Sequence, residues 1–273
     1  VDVARFLYLC GMSMEILLKA AQEAGAIMKS YFNGPFQISS KDTVNDLVTE
    51  VDKRAEAAIF QIIRDAYPDH ALLSEEVGEI PQHSPYKWII DPIDGTVNYA
   101  HGVPICCVSI ALEKDGVIEM GAVYNPFLQE MFVAERGKGA TLNGKKIQVS
   151  AKSHAESAFL VTGFPYQWED MANDPLQVFA RFIREGLPVR RMGSAAIDLC
   201  WVACGRFDGF WEHRLNAWDA AAGFLIVEEA GGKVTDFDGN PYSPYQPRLL
   251  ATNGKMHEAL LKAVRGTQAA SAD

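Results

Sequence analysis

The chemistry in this sequence is carried by carboxylates, and the densest group lies in Trp88-Ile89-Ile90-Asp91-Pro92-Ile93-Asp94-Gly95-Thr96-Val97-Asn98-Tyr99. An apolar strand there delivers Asp91 and Asp94 three residues apart. Pro92 restricts the chain between them, and Gly95 allows a turn that a Cβ would obstruct. Both acids can therefore face one point. A helix opening near Thr96 would aim its unpaired N–H groups and positive dipole end at that point, a seat for an anion. Two carboxylates beside an anion seat repel the anion unless a cation intervenes. Unit like charges ~4 Å apart cost about 1 kcal/mol in water and ~4 kcal/mol at an effective dielectric near 20. Hard oxygen ligands select magnesium or manganese. Alone, the stretch reads equally well as an Asp-rich turn with a helix cap. Further acids tilt the balance: Glu75-Glu76 after the apolar run Ala71-Leu72-Leu73, Asp46 in Asn45-Asp46-Leu47-Val48-Thr49, and Asp219 in Asn216-Ala217-Trp218-Asp219-Ala220-Ala221. Each stands where a strand or loop meets a helix.

The elements that must position these acids follow from changes in hydrophobic period. Glu15 to Tyr31 is helical, with Gly34-Pro35 as a stop, and a second amphipathic helix runs from about Asp52 to Tyr67 behind a capping box at Thr49-Glu50-Val51-Asp52. From Trp88 the pattern turns to strands at 88–90, 108–113, 117–123 and 131–135, with turns at Asp115-Gly116, Asn125-Pro126 and Asn143-Gly144. That reads as an antiparallel meander. Later, Ser194 caps a helix through Ala203 that stops at Gly205, and residues 207–211 form a strand. Asp219 opens an Ala-rich helix ending at Gly231-Gly232, and a hairpin follows around Asp238-Gly239. Helices and antiparallel strands in both halves predict mixed α/β lobes over 14–150 and 151–265. They share one layered core with a soft boundary near Ser150 and the site between them.

The whole chain has 273 residues with 25 basic and 35 acidic side chains, a formal charge of −10 that opposes nucleic-acid binding because the basic groups do not cluster. No apolar stretch reaches the ~18 residues of a membrane span. Cys10, Cys106, Cys107, Cys200 and Cys204 include no Cys-x-x-Cys pair, and they read as reduced thiols of a cytoplasmic protein. A metal shared by Cys200 and Cys204 is outweighed by a buried helix face. Met12 or Met14 reads as the natural start, with no role evident for residues 1–13, and Gly266 to Asp273 as a frayed tail.

Gly139-Ala140-Thr141-Leu142-Asn143-Gly144-Lys145-Lys146 imitates a nucleotide-binding loop until Lys146 replaces the Ser or Thr that would hold magnesium, so a hairpin turn is the better reading. The six histidines show no ligand spacing and read mostly as surface groups; His213 and Arg214, after Glu212, read equally as substrate contacts or a solvent-facing loop. Arg190-Arg191 reads as a surface charge pair. No Gly-x-Ser-x-Gly elbow supports serine chemistry.

The acidic motifs resemble those of the inositol monophosphatase family, within the magnesium-dependent, lithium-sensitive sugar-phosphatase superfamily. The likeness spans roughly Met14 to Val264. It rests on Trp88 to Tyr99, Trp218-Asp219-Ala220-Ala221-Ala222-Gly223 with Glu229-Ala230-Gly231-Gly232, Asp46 to Asp52, Ser74-Glu75-Glu76, and Gly193-Ser194-Ala195-Ala196 with Asp198-Leu199. The resemblance implies one continuous unit over 14–265, an αβαβα sandwich. It implies Glu75, Asp91, the Ile93 carbonyl, Asp94 and Asp219 as ligands of two or three Mg2+ ions, with Mn2+ a substitute. It also implies that Gly95 and Thr96 bind phosphate and that Thr96, Asp46 and Glu75 orient the attacking water. Gly163, Gly193, Ser194, Ala195 and Glu212 would line the substrate cleft. The expected reaction is hydrolysis of a small anionic phosphate ester, inositol 1-phosphate first, by a cytoplasmic homodimer with no nucleic-acid or membrane partner. Fructose-1,6-bisphosphatase, histidinol-phosphatase and nucleotide-bisphosphate phosphatase activities stay open on the same scaffold, as does a non-catalytic binding protein. Val97-Asn98-Tyr99 after Gly95-Thr96, instead of Lys-Glu, favours the inositol branch over the nucleotide one.

Overall fold

The computed structural model describes residues 12–40, 47–165 and 175–265. Its elements in chain order are α1 (Met12–Tyr31), β1 (Ile38–Ser40), β2 (Leu47–Thr49), α2 (Glu50–Ala66), β3 (Ala71–Ser74), β4 (Gly78–Ile80), β5 (Tyr86–Asp94) and α3 (Thr96–Ala100). There follow β6 (Cys107–Lys114), β7 (Val117–Asn125), β8 (Glu130–Glu135), β9 (Gly139–Leu142) and β10 (Lys145–Lys146). After a short 3-10 turn come β11 (Leu160–Thr162), α4 (Pro175–Arg184), β12 (Val189–Arg190), α5 (Ala195–Ala203), β13 (Gly209–His213), α6 (Ala217–Glu229), β14 (Lys233–Thr235), β15 (Arg248–Thr252) and α7 (His257–Arg265).

Two large sheets and three helical layers alternate as an αβαβα sandwich, as the resemblance implied, and β1 and β2 pair antiparallel as a separate two-stranded sheet. The larger sheet has the order β10-β9-β8-β7-β6-β5-β3-β4, and the smaller β12-β11-β13-β15-β14. Helices α1 and α2 cover one face of the larger sheet with Leu17, Ala24, Ile59 and Ile63 against Trp88, Ile90 and Val108. Helices α5 and α6 fill the space between the sheets. They are apolar on nearly every side because sheet lies on both of theirs, with Ala196, Leu199, Ala222 and Ile226 all buried. Helices α4 and α7 close the far face of the smaller sheet around Trp211 and Phe182.

The expected meander runs from β5 to β10, and Asn143 and Gly144 both take positive φ at its last turn, as a tight hairpin needs. The strand pairing departs from the expectation in three places. β3 pairs parallel with β5, and β11 pairs parallel with both β12 and β13. Parallel neighbours need a crossover, and α4 and α5 supply it between β11, β12 and β13. α4 was not anticipated, although Pro175 at its first position, Val178 and Phe182 one turn apart and the basic Arg181 and Arg184 in its last turn all signal an amphipathic helix. The strand expected at 207–211 is shifted to Gly209–His213. The helix expected to open at Asp219 opens at Ala217, behind Asn216.

The Thr49 box is present in full: Thr49 accepts from the Val51 and Asp52 amides at 3.1 and 3.4 Å, while the Thr49 amide donates to Asp52 at 2.8 Å. Thr49→Ala is expected to lower the unfolding free energy by about 0.5–2 kcal/mol, the usual worth of a cap. Urea melts followed by circular dichroism check it.

Candidate active site

The chain ends of two parallel strands begin the site. Ser74, last in β3, is in register with Ile90, and the Glu75 amide donates to the Ile90 carbonyl at 3.3 Å. Glu75 is therefore set down beside Asp91, one residue further along β5. Pro92 has no ladder donor, and the register with β6 slips between Asp91 and Asp94. Asp91 stabilises this bend by accepting the Ile93 amide at 3.0 Å. Gly95 then takes φ +89, where a Cβ would lie 2.9 Å from the Ile105 carbonyl oxygen, and α3 starts at Thr96.

Asp94 reaches across to the other half of the chain. One of its oxygens accepts the Ser194 hydroxyl at 2.6 Å and the Ala196 amide at 2.8 Å, tying β5 to the start of α5. Ser194 holds the cap position of α5 as expected, but its hydroxyl serves Asp94 and caps no helix amide. A buried carboxylate is the stronger acceptor. Asn98 clamps the same junction, its amide donating to the carbonyls of Ile105 at 2.7 Å and Met192 at 2.8 Å. Asp219, third residue of α6, accepts the Asn216 amide at 2.7 Å. Asp91, Asp94 and Asp219 thus each commit one oxygen to a backbone amide, nearby in sequence for Asp91 and Asp219 and in the other half of the chain for Asp94.

These residues line a cavity of about 630 Å³. Of the residues singled out from the sequence, Glu75, Asp91, Ile93, Asp94, Gly95, Thr96, Gly163, Gly193, Ser194, Ala195, Glu212 and Asp219 all contribute to its wall. Asp46 lies outside the described residues. The first turns of α3, α5 and α6 all open onto it, so three dipole ends favour negative charge there, that of α5 already answered in part by Asp94 through the Ala196 amide. Gly163 is required by contact: a Cβ on it would come within 2.2 Å of both Glu212 carboxylate oxygens.

Burial decides the electrostatics. Desolvation lifts the Asp94 carboxyl to about 6 against the pull of Ser194 and Ala196, and lifts Glu212 to about 8. Asp91 and Asp219 are pushed well above the ordinary carboxylate range, first by burial and then by each site's acidic neighbours, Glu75 foremost. Among the described residues, no three His, Cys, Asp or Glu side chains already close around one point at metal-bonding distance. The acids line a shared wall without forming a finished shell. The donor set nevertheless fits a hard divalent cation: carboxylates and a carbonyl, no thiolate or imidazole, and mutual repulsion that such a charge would relieve.

Several residues here escaped sequence reasoning. Asp52 is fully buried, raised to about 7 by desolvation, and accepts the Thr96 hydroxyl at 3.3 Å; that hydroxyl also reaches the Ile93 carbonyl at 2.9 Å. Its signal was visible only as a capping residue. Asp198 and Arg191 also line the cavity, although Asp198 sits in an apolar helix and Arg191 was read as a surface charge. The histidines divide evenly. His213 and His257 are 1% exposed, and His70 stacks between Tyr67 and Tyr86, while His83, His101 and His154 are at the surface. His213 thus belongs to the cavity wall and not to a solvent-facing loop. Cys106, Cys107, Cys200 and Cys204 are free thiols. The imitation nucleotide loop is a hairpin whose Gly139 amide is spent on Glu229 at 2.7 Å, as is the Gly137 amide of the preceding turn at 2.8 Å.

The model for the inositol monophosphatase family matches residues 13–269. The chain belongs to that family. It is 47% identical over 255 residues to the inositol-1-monophosphatase of Synechocystis, covering 93% of this chain and 89% of the relative. Family members also carry another name: the Nus factor SuhB of Pseudomonas aeruginosa is 41% identical over 259 residues, covering 92% and 95%. Among solved structures, the inositol monophosphatase from Anabaena superposes with TM-score 0.80 at 40% identity, covering 97% and 96%. An IMPase/NADP phosphatase complexed with Mg2+ and phosphate superposes with TM-score 0.79 at 26% identity, covering 90% and 92%. As a member of this family the chain is a phosphatase.

The raised carboxyls fix the sign of a pH effect. Asp94, Asp52 and Glu212 hold protons in the folded chain up to about 6, 7 and 8, whereas the unfolded chain releases them near 3.8, 3.8 and 4.5. Folding therefore takes up protons between pH 4 and 8, and stability falls as pH rises through that window. Metal-free protein in chelator should melt at progressively lower temperature from pH 5 to pH 8. Asp94→Asn should flatten that dependence.

Proposed function

We propose that the chain hydrolyses small polyol or sugar phosphate monoesters with magnesium, inositol 1-phosphate being the first candidate. The observation that carries this reading is the convergence of Glu75, Asp91, Asp94 and Asp219 on one cavity where three helices begin. The family member complexed with Mg2+ and phosphate supports the choice of ion. Glu75, Asp91, the Ile93 carbonyl, Asp94 and Asp219 would hold the ions, two or three in number, with Mn2+ as a substitute. Bound magnesium supplies positive charge to the phosphoryl oxygens and acidifies water.

The chain's own groups do the rest. The Gly95 and Thr96 amides at the start of α3 face the phosphate. Thr96, Glu75 and Asp46 orient the attacking water, with the Thr96 hydroxyl already aimed by Ile93 and Asp52. Water attacks in line without a phospho-enzyme, because metal-assisted hydrolysis needs no side-chain nucleophile, and the Ser194 hydroxyl serves to hold Asp94 in place. Glu212 and the backbone of Gly193 to Ala195 face the polyol. Lithium inhibition, a homodimer and a cytoplasmic location complete the same reading.

Purified protein with excess magnesium should release phosphate from inositol 1-phosphate faster than from the other sugar and nucleotide phosphates of a panel. Silence across the whole panel would sink the proposal. Asp219→Asn and Glu75→Gln should each cut kcat by roughly 10²-fold or more, while the metal-free variants melt no lower than the parent because like-charge repulsion is relieved. Gly163→Ala forces Glu212 aside and should raise KM for inositol 1-phosphate about tenfold with a smaller change in kcat. Steady-state kinetics and thermal melts measure all three.

A further inference from the structure

We propose that Asp198 is a specificity-determining residue, accepting a hydroxyl of the substrate beside Glu212 so that the cavity selects phosphate esters with neutral hydroxylated bodies. This rests on the phosphatase reading and extends it to a residue in an otherwise apolar helix.

The placement is fixed by the phosphate end of the site. Asp198 lies one turn into α5, its amide donating to the Ser194 carbonyl at 3.0 Å, and the start of α5 is anchored to Asp94 through Ser194 and Ala196. A group held this rigidly relative to Asp94 lies at a fixed distance from the phosphate seat. Its neighbours along α5 are Ala195, Ala196, Ile197, Leu199, Cys200 and Val202, all buried, so packing alone would take an apolar side chain there.

The carboxyl is nonetheless present and incompletely satisfied. Asp198 is 1% exposed, it contributes to the cavity wall, and its Oδ1 has no hydrogen-bond partner among the described residues. A buried acceptor without a donor is destabilising, and native proteins keep such groups where a ligand or an ordered water completes them. The charges acting on it are Glu212 and Asp94 of like sign and Arg191 of opposite sign, the last exposed at the rim. A second phosphate placed there would meet two carboxyls. A neutral hydroxyl can donate to a carboxyl oxygen of either group and accept from whichever of them keeps its proton, whereas an ionised phosphate, an acceptor only, cannot donate. The same corner has room because Gly163 carries no Cβ against Glu212. Substrates with adjacent hydroxyls therefore fit better than bisphosphates or bare aryl phosphates.

The test uses the full chain with magnesium and two esters, myo-inositol 1-phosphate and phenyl phosphate, with free myo-inositol binding followed in parallel by saturation-transfer NMR. In Asp198→Leu, which has the size but no acceptor, KM for inositol 1-phosphate should rise about tenfold or more, while kcat/KM for phenyl phosphate stays within about twofold. Asp198→Asn, which keeps one acceptor, should lose less. Equal losses on both esters, or no loss on either, overturn the assignment. Phenyl phosphate turnover and melting temperature report folding; if both variants fail to fold, Asp198 is structural and the assignment falls. A wild-type protein that ignores inositol 1-phosphate sinks the substrate reading by itself. Asp198 is then judged on inositol alone: no binding to the wild type, or equal binding to Asp198→Leu, contradicts the role given to it.

Discussion

Like charges held close together away from water are the constraint around which this molecule is arranged. Asp91 and Asp94 are buried and Asp219 half-buried within reach of one another's fields, and desolvation is the first cause that keeps protons on them above the usual carboxylate range. Each is held in place by a backbone amide: Ile93 for Asp91, Ala196 for Asp94, Asn216 for Asp219. The amides partly offset the desolvation and fix direction. They do not remove the repulsion, which is why a divalent cation belongs to the chemistry of the site.

The layered architecture serves that arrangement. Parallel pairing of β3 with β5 makes the two strands end side by side, so Glu75 and Asp91 leave the sheet together. The middle layer then brings the first turns of α5 and α6 to the same edge, and α3 joins them directly from β5. Helix starts are where amides lack partners, so one edge of the sandwich gathers acids for a cation and amides for an anion. The apolar character of α5 and α6 follows from sheet on both sides. It makes Asp198 conspicuous as the charged residue within α5.

Features governed by neighbours in sequence were legible beforehand. The Thr49–Asp52 box, the Asn143-Gly144 turn and the strand into Asp91 depend on a few adjacent residues, and they stand where local chemistry puts them. Contacts between distant residues were not legible. Ser194 looks like a helix cap in sequence and becomes a donor to Asp94, 100 positions earlier. Parallel pairing at β11 depends on crossover helices, and α4 was passed over although its Pro175 start and amphipathic spacing were there to be read. His257 read as a surface group, yet it sits between the Thr235 and Thr252 hydroxyls at 3.0 and 2.9 Å. The acids of the site were found because their motifs are dense and resemble a known family, whereas Asp52 was read only as a capping residue and Asp198 only as part of a family motif, neither with a role in the site.

The central claim is that carboxyls kept protonated by burial and by one another's fields give up their protons as divalent ions bind among them. Calorimetric titration of magnesium into chelator-treated protein at pH 6.5, repeated in buffers of different ionisation enthalpy, reads it directly. The account predicts saturable binding whose apparent heat changes with the buffer, because magnesium entry expels protons from the site. Saturable binding with the same heat in every buffer, or no binding at all, would contradict it.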